Sequence, residues 1–191
     1  MDQAPNPLSS TSPIAHEIDR YLRHLAIERG LSVNTIAAYR RDLDSYAASL
    51  ARRNVVSVDA IGAADVAEFS HELRTRPEGA LAASSVGRML SSVRGFHRFL
   101  VEEQLVSTDV SAETKPPKLG MRLPKAISIE QMEAVLAATD GDEIVALRDK
   151  ALLELLYATG ARVSEAVALN VDDVIDGDVV RLFGKGGKQR I

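Results

Sequence analysis

Four stretches between Ser12 and Leu100 repeat their apolar residues every three or four positions, each bounded by a capping or turn residue. That period commits the first half of the chain to helices that share one core. Ser12-Pro13 reads as an N-cap with proline at the first helical position, and Ile18, Leu22, Leu25 and Ile27 follow until Gly30. Asn34-Thr35 opens a second helix with the stripe Ile36, Tyr39, Leu43, Tyr46, Leu50, and Arg41, Ser45 and Arg52 on its other side. A third helix is expected over Ala63 to Arg74, with Val66, Phe69 and Leu73 inward, ended by Pro77-Glu78-Gly79. The fourth starts near Ser84 or Ser85 and buries Val86, Met89, Leu90, Val93, Phe96 and Leu100, leaving Arg88, Arg94 and Arg98 elsewhere on the cylinder. The prediction is a compact bundle of about four helices.

From Ser107 to Lys125 the periodicity stops, and Pro116-Pro117, Gly120 and Pro124 mix with Lys115, Lys118, Arg122 and Lys125. This stretch reads as an interdomain linker, suited to follow a phosphate backbone or to serve as an ordinary solvated hinge. A second domain is expected from Ser128, spaced from Gln131 as a capping box. Its helices are Ile129 to Ala138 and Glu143 to Ala158, the latter with Leu147, Ala151, Leu152, Leu155 and Leu156 as apolar face and Gly160 as its stop. A short helix, Val163 to Leu169, precedes two strands that meet at Asp176-Gly177, with Val179 to Phe183 as the second strand. Gly184 to Gly187 is a further turn, and Lys188 to Ile191 begins a third strand.

Several function classes drop out. The chain has no cysteine, which removes thiolate chemistry and zinc-thiolate sites. His71-Glu72 begins like a zinc-binding helix, but Thr75 and Arg76 stand where a second histidine is needed, so no metal or other cofactor is expected. His16, His24, His71 and His97 are read as surface or half-buried helix residues. Met1 to Pro13 lacks a basic start and an apolar core, so it reads as a disordered tail and not a signal peptide. No apolar run approaches the roughly 20 residues of a membrane span, and a cytoplasmic protein is expected. The net charge of −4 argues against a polyanionic partner, yet its distribution argues for one. Basic residues exceed acidic ones over Arg20 to Arg53 and again over Arg74 to Lys125, and most are arginine, whose planar fork suits phosphates and guanine edges.

The residues that can carry chemistry lie late in the chain. Arg162 opens a helix beside amides that lack intrahelical partners, a position that suits a phosphate, and Glu165 one turn on can orient it. The same spacing also describes a surface Arg–Glu pair. Gly184-Lys185-Gly186-Gly187-Lys188 looks like a phosphate loop but departs from the Walker A spacing and joins two strands.

Order and spacing are more specific than either motif. Leu155-Leu156-Tyr157-Ala158-Thr159-Gly160-Ala161-Arg162-Val163-Ser164-Glu165, a hairpin, and then Phe183-Gly184-Lys185-Gly186-Gly187-Lys188-Gln189-Arg190 closely resemble the tyrosine recombinase, or phage integrase, family. Tyr21-Leu22-Arg23-His24-Leu25, Glu28-Arg29-Gly30-Leu31-Ser32 and Asn34-Thr35 through Tyr39-Arg40-Arg41-Asp42-Leu43 are similar to the core-binding domain of bacterial Xer recombinases. Arg122-Leu123-Pro124-Lys125 and Leu147-Arg148-Asp149-Lys150 lie nearer the XerD branch than the XerC branch. The fold implied is mainly α: a SAM-like helical core-binding domain over 14–106, a basic linker over 107–126, and over 127–191 the first, incomplete part of an α+β catalytic domain, the two domains clamping duplex DNA.

The resemblance implies site-specific DNA recombination through a 3′-phosphotyrosine, without metal or nucleotide, serving chromosome dimer resolution at cell division. Arg162 corresponds to the first active-site arginine, Lys185 to the hairpin lysine that protonates the departing 5′-oxygen, and Glu165 to the supporting acidic residue. Candidate DNA contacts are Asn34, Thr35, Arg41, Arg52, Arg88, Arg94, Arg98, Lys188 and Arg190. Implied partners are double-stranded DNA carrying a dif-like site, a paralogous Xer recombinase and an FtsK-type septal DNA translocase. The family's His-x-x-Arg pair and nucleophilic tyrosine lie beyond the hairpin, whereas Tyr21, Tyr39, Tyr46 and Tyr157 all precede Arg162. Tyr39 and Tyr46 lie on an apolar stripe and Tyr157 in a helix expected to be largely buried, so the expectation for these 191 residues is DNA binding without cleavage. A non-catalytic module that occupies recombination sites, and a helical protein-interaction domain, are the competing readings.

Overall fold

The computed structural model describes residues 12–77, 79–117, 126–175, 177, 179–184 and 186–191. Met1 to Thr11, Glu78, the stretch 118–125 with its Arg122-Leu123-Pro124-Lys125 motif, Asp176, Asp178 and Lys185 lie outside the described residues, and with them the expected tail and part of the expected linker. The chain divides into two compact units, Met1–Met121 and Arg122–Ile191.

The first unit contains α1 (Pro13–Ile27), α2 (Val33–Arg52), α3 (Ala63–Thr75) and α4 (Ala83–Glu102). Ser12 caps α1, its hydroxyl accepting from the Ala15 amide, and Pro13 occupies the first turn as expected. The start of α2 lies two residues earlier than Asn34-Thr35 suggests, because Ser32 supplies the capping hydroxyl to the Thr35 amide at 3.3 Å. Asp65 caps α3 by reaching back to the Gly62 amide. Helix α4 packs against the other three, and α2 does the same.

The shared core is Ile14, Ile18, Leu22 and Leu25 of α1, Leu43, Tyr46 and Leu50 of α2, Val66, Phe69 and Leu73 of α3, and Val86, Leu90, Val93, Phe96 and Leu100 of α4. Removing a side chain of this size from water is worth about 1.5–3 kcal/mol, so the bundle carries its own stability. Ile27 was expected on the α1 stripe but is 80% exposed, since it falls in the last turn beyond the facing helices. His97 departs from the surface reading: it is buried, with Nε2 at 3.0 Å from Tyr46 Oη. It sits on the same α4 face as Phe96 and Leu100, where the hydroxyl of Tyr46 gives the ring a polar partner. Gly95 leaves α4 open to the Tyr21 ring of α1, because a Cβ there would overlap the Tyr21 hydroxyl. The residues after α4 stay on the bundle. Val106 and Val110 pack against its core and Ser111 is buried, although the sequence from Ser107 reads as linker.

The second unit contains α5 (Ile129–Ala137), α6 (Ile144–Thr159), α7 (Val163–Ala166), a 3-10 turn at Val171–Asp173, and strands β1 (Val174–Ile175), β2 (Val179–Val180), β3 (Leu182–Phe183) and β4 (Gln189–Arg190). The Ser128–Gln131 capping box forms with both hydrogen bonds, and α6 ends on left-handed Gly160. The expected single strand Val179 to Phe183 is broken at Arg181, whose amide bonds the Asp173 carbonyl. In consequence β2 pairs with β1 and β3 pairs with β4, both antiparallel. Helix α7 stops at Ala166, short of the expected Leu169.

Burial here is thin. Among the described residues of this unit only Ala166 and Leu182 are buried apolar side chains. Of the expected α6 face, Leu152, Leu155 and Leu156 are half-buried while Leu147 and Ala151 are exposed. Tyr157, in a helix expected to be largely buried, is 55% exposed, and none of the described residues of α6 is fully buried, its main contacts being with α5 and α7.

Candidate functional site

Arg162 and Arg190 converge on one carboxylate, that of Glu165. Glu165 lies in the single turn of α7, and its side chain is only 4% exposed. Its Oε1 accepts from Arg162 Nη1 at 2.8 Å, and its Oε2 accepts from the Arg162 amide at 3.0 Å and from Arg190 Nη2 at 2.5 Å. Arg162 and Arg190 come from different elements, one preceding α7 and the other in β4, yet they share this anion. The Arg162 amide, then its guanidinium, and the charge of Arg190 hold the Glu165 carboxyl below its ordinary value, against the opposing effect of burial.

The Arg162–Glu165 spacing seen in the sequence closes as an ion pair. Its side chain is 67% exposed, with Nη1 anchored on Glu165 and other donors left for solvent. The Arg162 amide is bonded to Glu165, and α7 has only four residues, too short for its start to serve as an anion site by itself. Any anion recognition therefore belongs to the side chain and not to a helix end.

The β3–β4 hairpin sets the other side of the site. The Gly184 amide bonds the Lys188 carbonyl at 2.7 Å, and Gly186 and Gly187 take φ of 77° and 73°, where L side chains are strained. Lys188 is exposed. Lys185 lies outside the described residues. Arg190 was singled out only as a DNA contact, and its tie to Glu165 went unseen in the sequence because no local spacing connects positions so far apart.

The helical candidates fall into two groups. On α2, Asn34, Arg41 and Arg52 are exposed and share one face, since seven and eleven residues both return close to whole helical turns. Thr35 is half-buried, with its amide and hydroxyl engaged by the capping Ser32, so it serves the start of the helix. On α4 the three arginines do not form one stripe: Arg94 and Arg98 lie one turn apart, while Arg88 is about a quarter of a turn or more away around the axis. Arg41 and Arg98 form no ion pair among the described residues. Arg52 bridges to Glu72 at 2.7 Å, and Arg88 to the buried Asp42, which also accepts from Ser92 Oγ at 2.8 Å. Arg94 donates to the carbonyls of Ser111 and Ala112.

Residues 18–104 match the phage integrase N-terminal SAM-like domain, and 125–191 match the phage integrase family. The chain belongs to the phage integrase family of tyrosine recombinases. It is similar to the tyrosine recombinase XerD of Mycobacterium leprae, at 44% identity over 95% of this chain and 60% of that protein. The XerD of Corynebacterium glutamicum is 45% identical over 90% of this chain and 58% of that protein. The chain thus spans about 60% of the length of these curated relatives. In fold it is similar to a lambda integrase dimer bound to a COC′ core site, with TM-score 0.72 at 19% identity over 93% of this chain and 60% of the other. The Tn1549 transposon integrase in complex with a circular intermediate DNA aligns with TM-score 0.68 at 14% identity, over 94% of this chain and 56% of the other. Among the described residues no helix is long and apolar enough to cross a membrane, and no cluster of His, Asp and Glu could hold a metal ion.

Proposed function

We propose that this chain is the DNA-binding unit and the arginine-bearing part of the catalytic unit of a Xer-type site-specific recombinase. The observation that carries the reading is the half-anchored guanidinium of Arg162, held on a buried Glu165 that Arg190 also binds. A guanidinium fixed along one edge and open along the other is suited to a phosphodiester oxygen, where it would stabilise the charge that builds as the phosphorus becomes five-coordinate. Lys185 would protonate the departing 5′-oxygen. Of the candidate contacts on the first unit, Arg41 and Arg98 are the arginines without an ion pair among the described residues, with Asn34 and Arg52 beside Arg41 on α2.

The XerD likeness supports double-stranded DNA with a dif-like site as substrate and chromosome dimer resolution as the role. It also supports a paralogous recombinase and an FtsK-type translocase as partners, in the cytoplasm. No cleavage is expected of these 191 residues by themselves. Tyr21 and Tyr46 are buried and their hydroxyls are pushed well above the ordinary tyrosine value by desolvation. Half-buried Tyr39 belongs to the same core, and Tyr157 lies on the helix before Arg162.

A mobility-shift titration over a salt series tests the reading. Binding to a dif-like duplex should weaken steeply with salt, Arg41→Ala should weaken it further with a shallower slope, and Arg162→Ala should leave affinity unchanged. Absence of binding at low salt, or loss only with Arg162→Ala, would overturn it.

A further inference from the structure

We propose that Arg190 is a positioning residue: through Glu165 it docks the β3–β4 hairpin onto the chain segment that carries Arg162. This deepens the phosphate reading of Arg162 and rests on it. The hairpin meets the Glu165 carboxylate twice. Arg190 Nη2 bonds Oε2 at 2.5 Å, and a Cβ on Gly184, at the other end of the turn, would come within 3.3 Å of Oε1. The stem therefore runs close against the carboxylate, and a side chain at Gly184 would need its neighbours to give way. A carboxylate this deeply buried needs its oxygens satisfied, and Arg190 is one of two cations, with Arg162, that face it among the described residues. Glu165 can aim Arg162 only while its own plane is fixed, and Arg190 supplies the tie from the opposite side. Removing Arg190 leaves the carboxylate held from the Arg162 side alone, by the amide on Oε2 and the guanidinium on Oε1, so its plane loosens and the guanidinium of Arg162 loosens with it.

The test uses the 191-residue chain, isotopically labelled, with inorganic phosphate as the probe. The readouts are the Glu165 carboxyl carbon through a pH titration and the Arg162 Nε–H signal. In Arg190→Ala the Glu165 midpoint should rise, the Arg162 signal should move toward that of a free arginine, and phosphate affinity at Arg162 should fall about tenfold, the value of one charge-assisted hydrogen bond. Arg190→Lys should recover most of all three. Arg190→Gln gives the same readouts if the alanine variant does not fold. If Arg190→Ala leaves Glu165 and Arg162 unchanged in the absence of phosphate, the proposal is overturned, even where phosphate affinity falls, because Arg190 would then touch the anion directly. If Arg162 ignores phosphate in the unaltered chain while Glu165 still responds to Arg190→Ala, the tie is supported and the phosphate reading of Arg162 fails.

Discussion

Replacing His97 by glutamine should flatten the acid side of the chain's stability profile. Burial pushes His97 down from 6.5 to about 4, with the charge of Asp109 opposing the shift. The folded chain thus keeps the ring neutral over a range in which the unfolded chain protonates it. A lowered folded value means that stability is fully present above the unfolded value and drains away as pH falls toward the folded one. With one unit worth about 1.36 kcal/mol, the loss reaches about 3 kcal/mol at full protonation and about 2 kcal/mol between roughly pH 7.5 and pH 5. Glu72 and Glu165 have lowered values, so their contributions persist above the carboxylate range and leave this window to histidine. Guanidinium unfolding followed by helical circular dichroism, in steps across the window, gives the slope directly. His97→Gln should be less stable near neutrality, because the ring's packing is lost, but should lose about 2 kcal/mol less on acidification. Parallel profiles for the two proteins would refute the assignment of the slope to His97.

Gly95→Ala should destabilise the bundle by about 1–3 kcal/mol despite alanine's better helix propensity, because its Cβ meets the Tyr21 hydroxyl. The double variant with Tyr21→Phe should recover part of that loss in thermal melts, and additive effects would argue against the contact. Arg88→Ala should cost about 1–3 kcal/mol by leaving buried Asp42 with Ser92 as its remaining partner, whereas Arg98→Ala should change stability by less than about 0.5 kcal/mol. In native-state hydrogen exchange, amides of α5 and α6 should open before those at the centres of α2 and α4, since neither α5 nor α6 has a buried residue.

The helices of the first unit were legible because each closes on a core with a regular period and a local stop signal. Leu43, Tyr46 and Leu50 on α2 and Val86, Val93 and Phe96 on α4 are buried where the stripe puts them. His97 was misjudged because residue type was weighed above position: it stands on a buried face, and its partner is 51 residues away. The second unit was harder to read. An amphipathic pattern states which side of α6 prefers burial, but Leu147 and Tyr157 show that preference does not supply a covering surface. At the candidate site, the Arg162–Glu165 pair was visible as a three-residue spacing. Arg190 was not, since its approach depends on the register Leu182↔Arg190, which brings the end of the hairpin back beside α7.

Arg94 places a condition on how the helical unit could hold a polyanion. Its donors already serve the carbonyls of Ser111 and Ala112, which lead out of the bundle toward the second unit. A phosphate that took these same donors would do so by exchange, freeing two backbone acceptors, whereas one that met only Nη1 would leave them in place. Engagement by that exchange would loosen the outgoing chain, whereas engagement at Arg98, one turn along, would leave it fastened. Two neighbouring arginines of one helix would then act differently, one as a plain contact and the other as a release catch for the segment that follows.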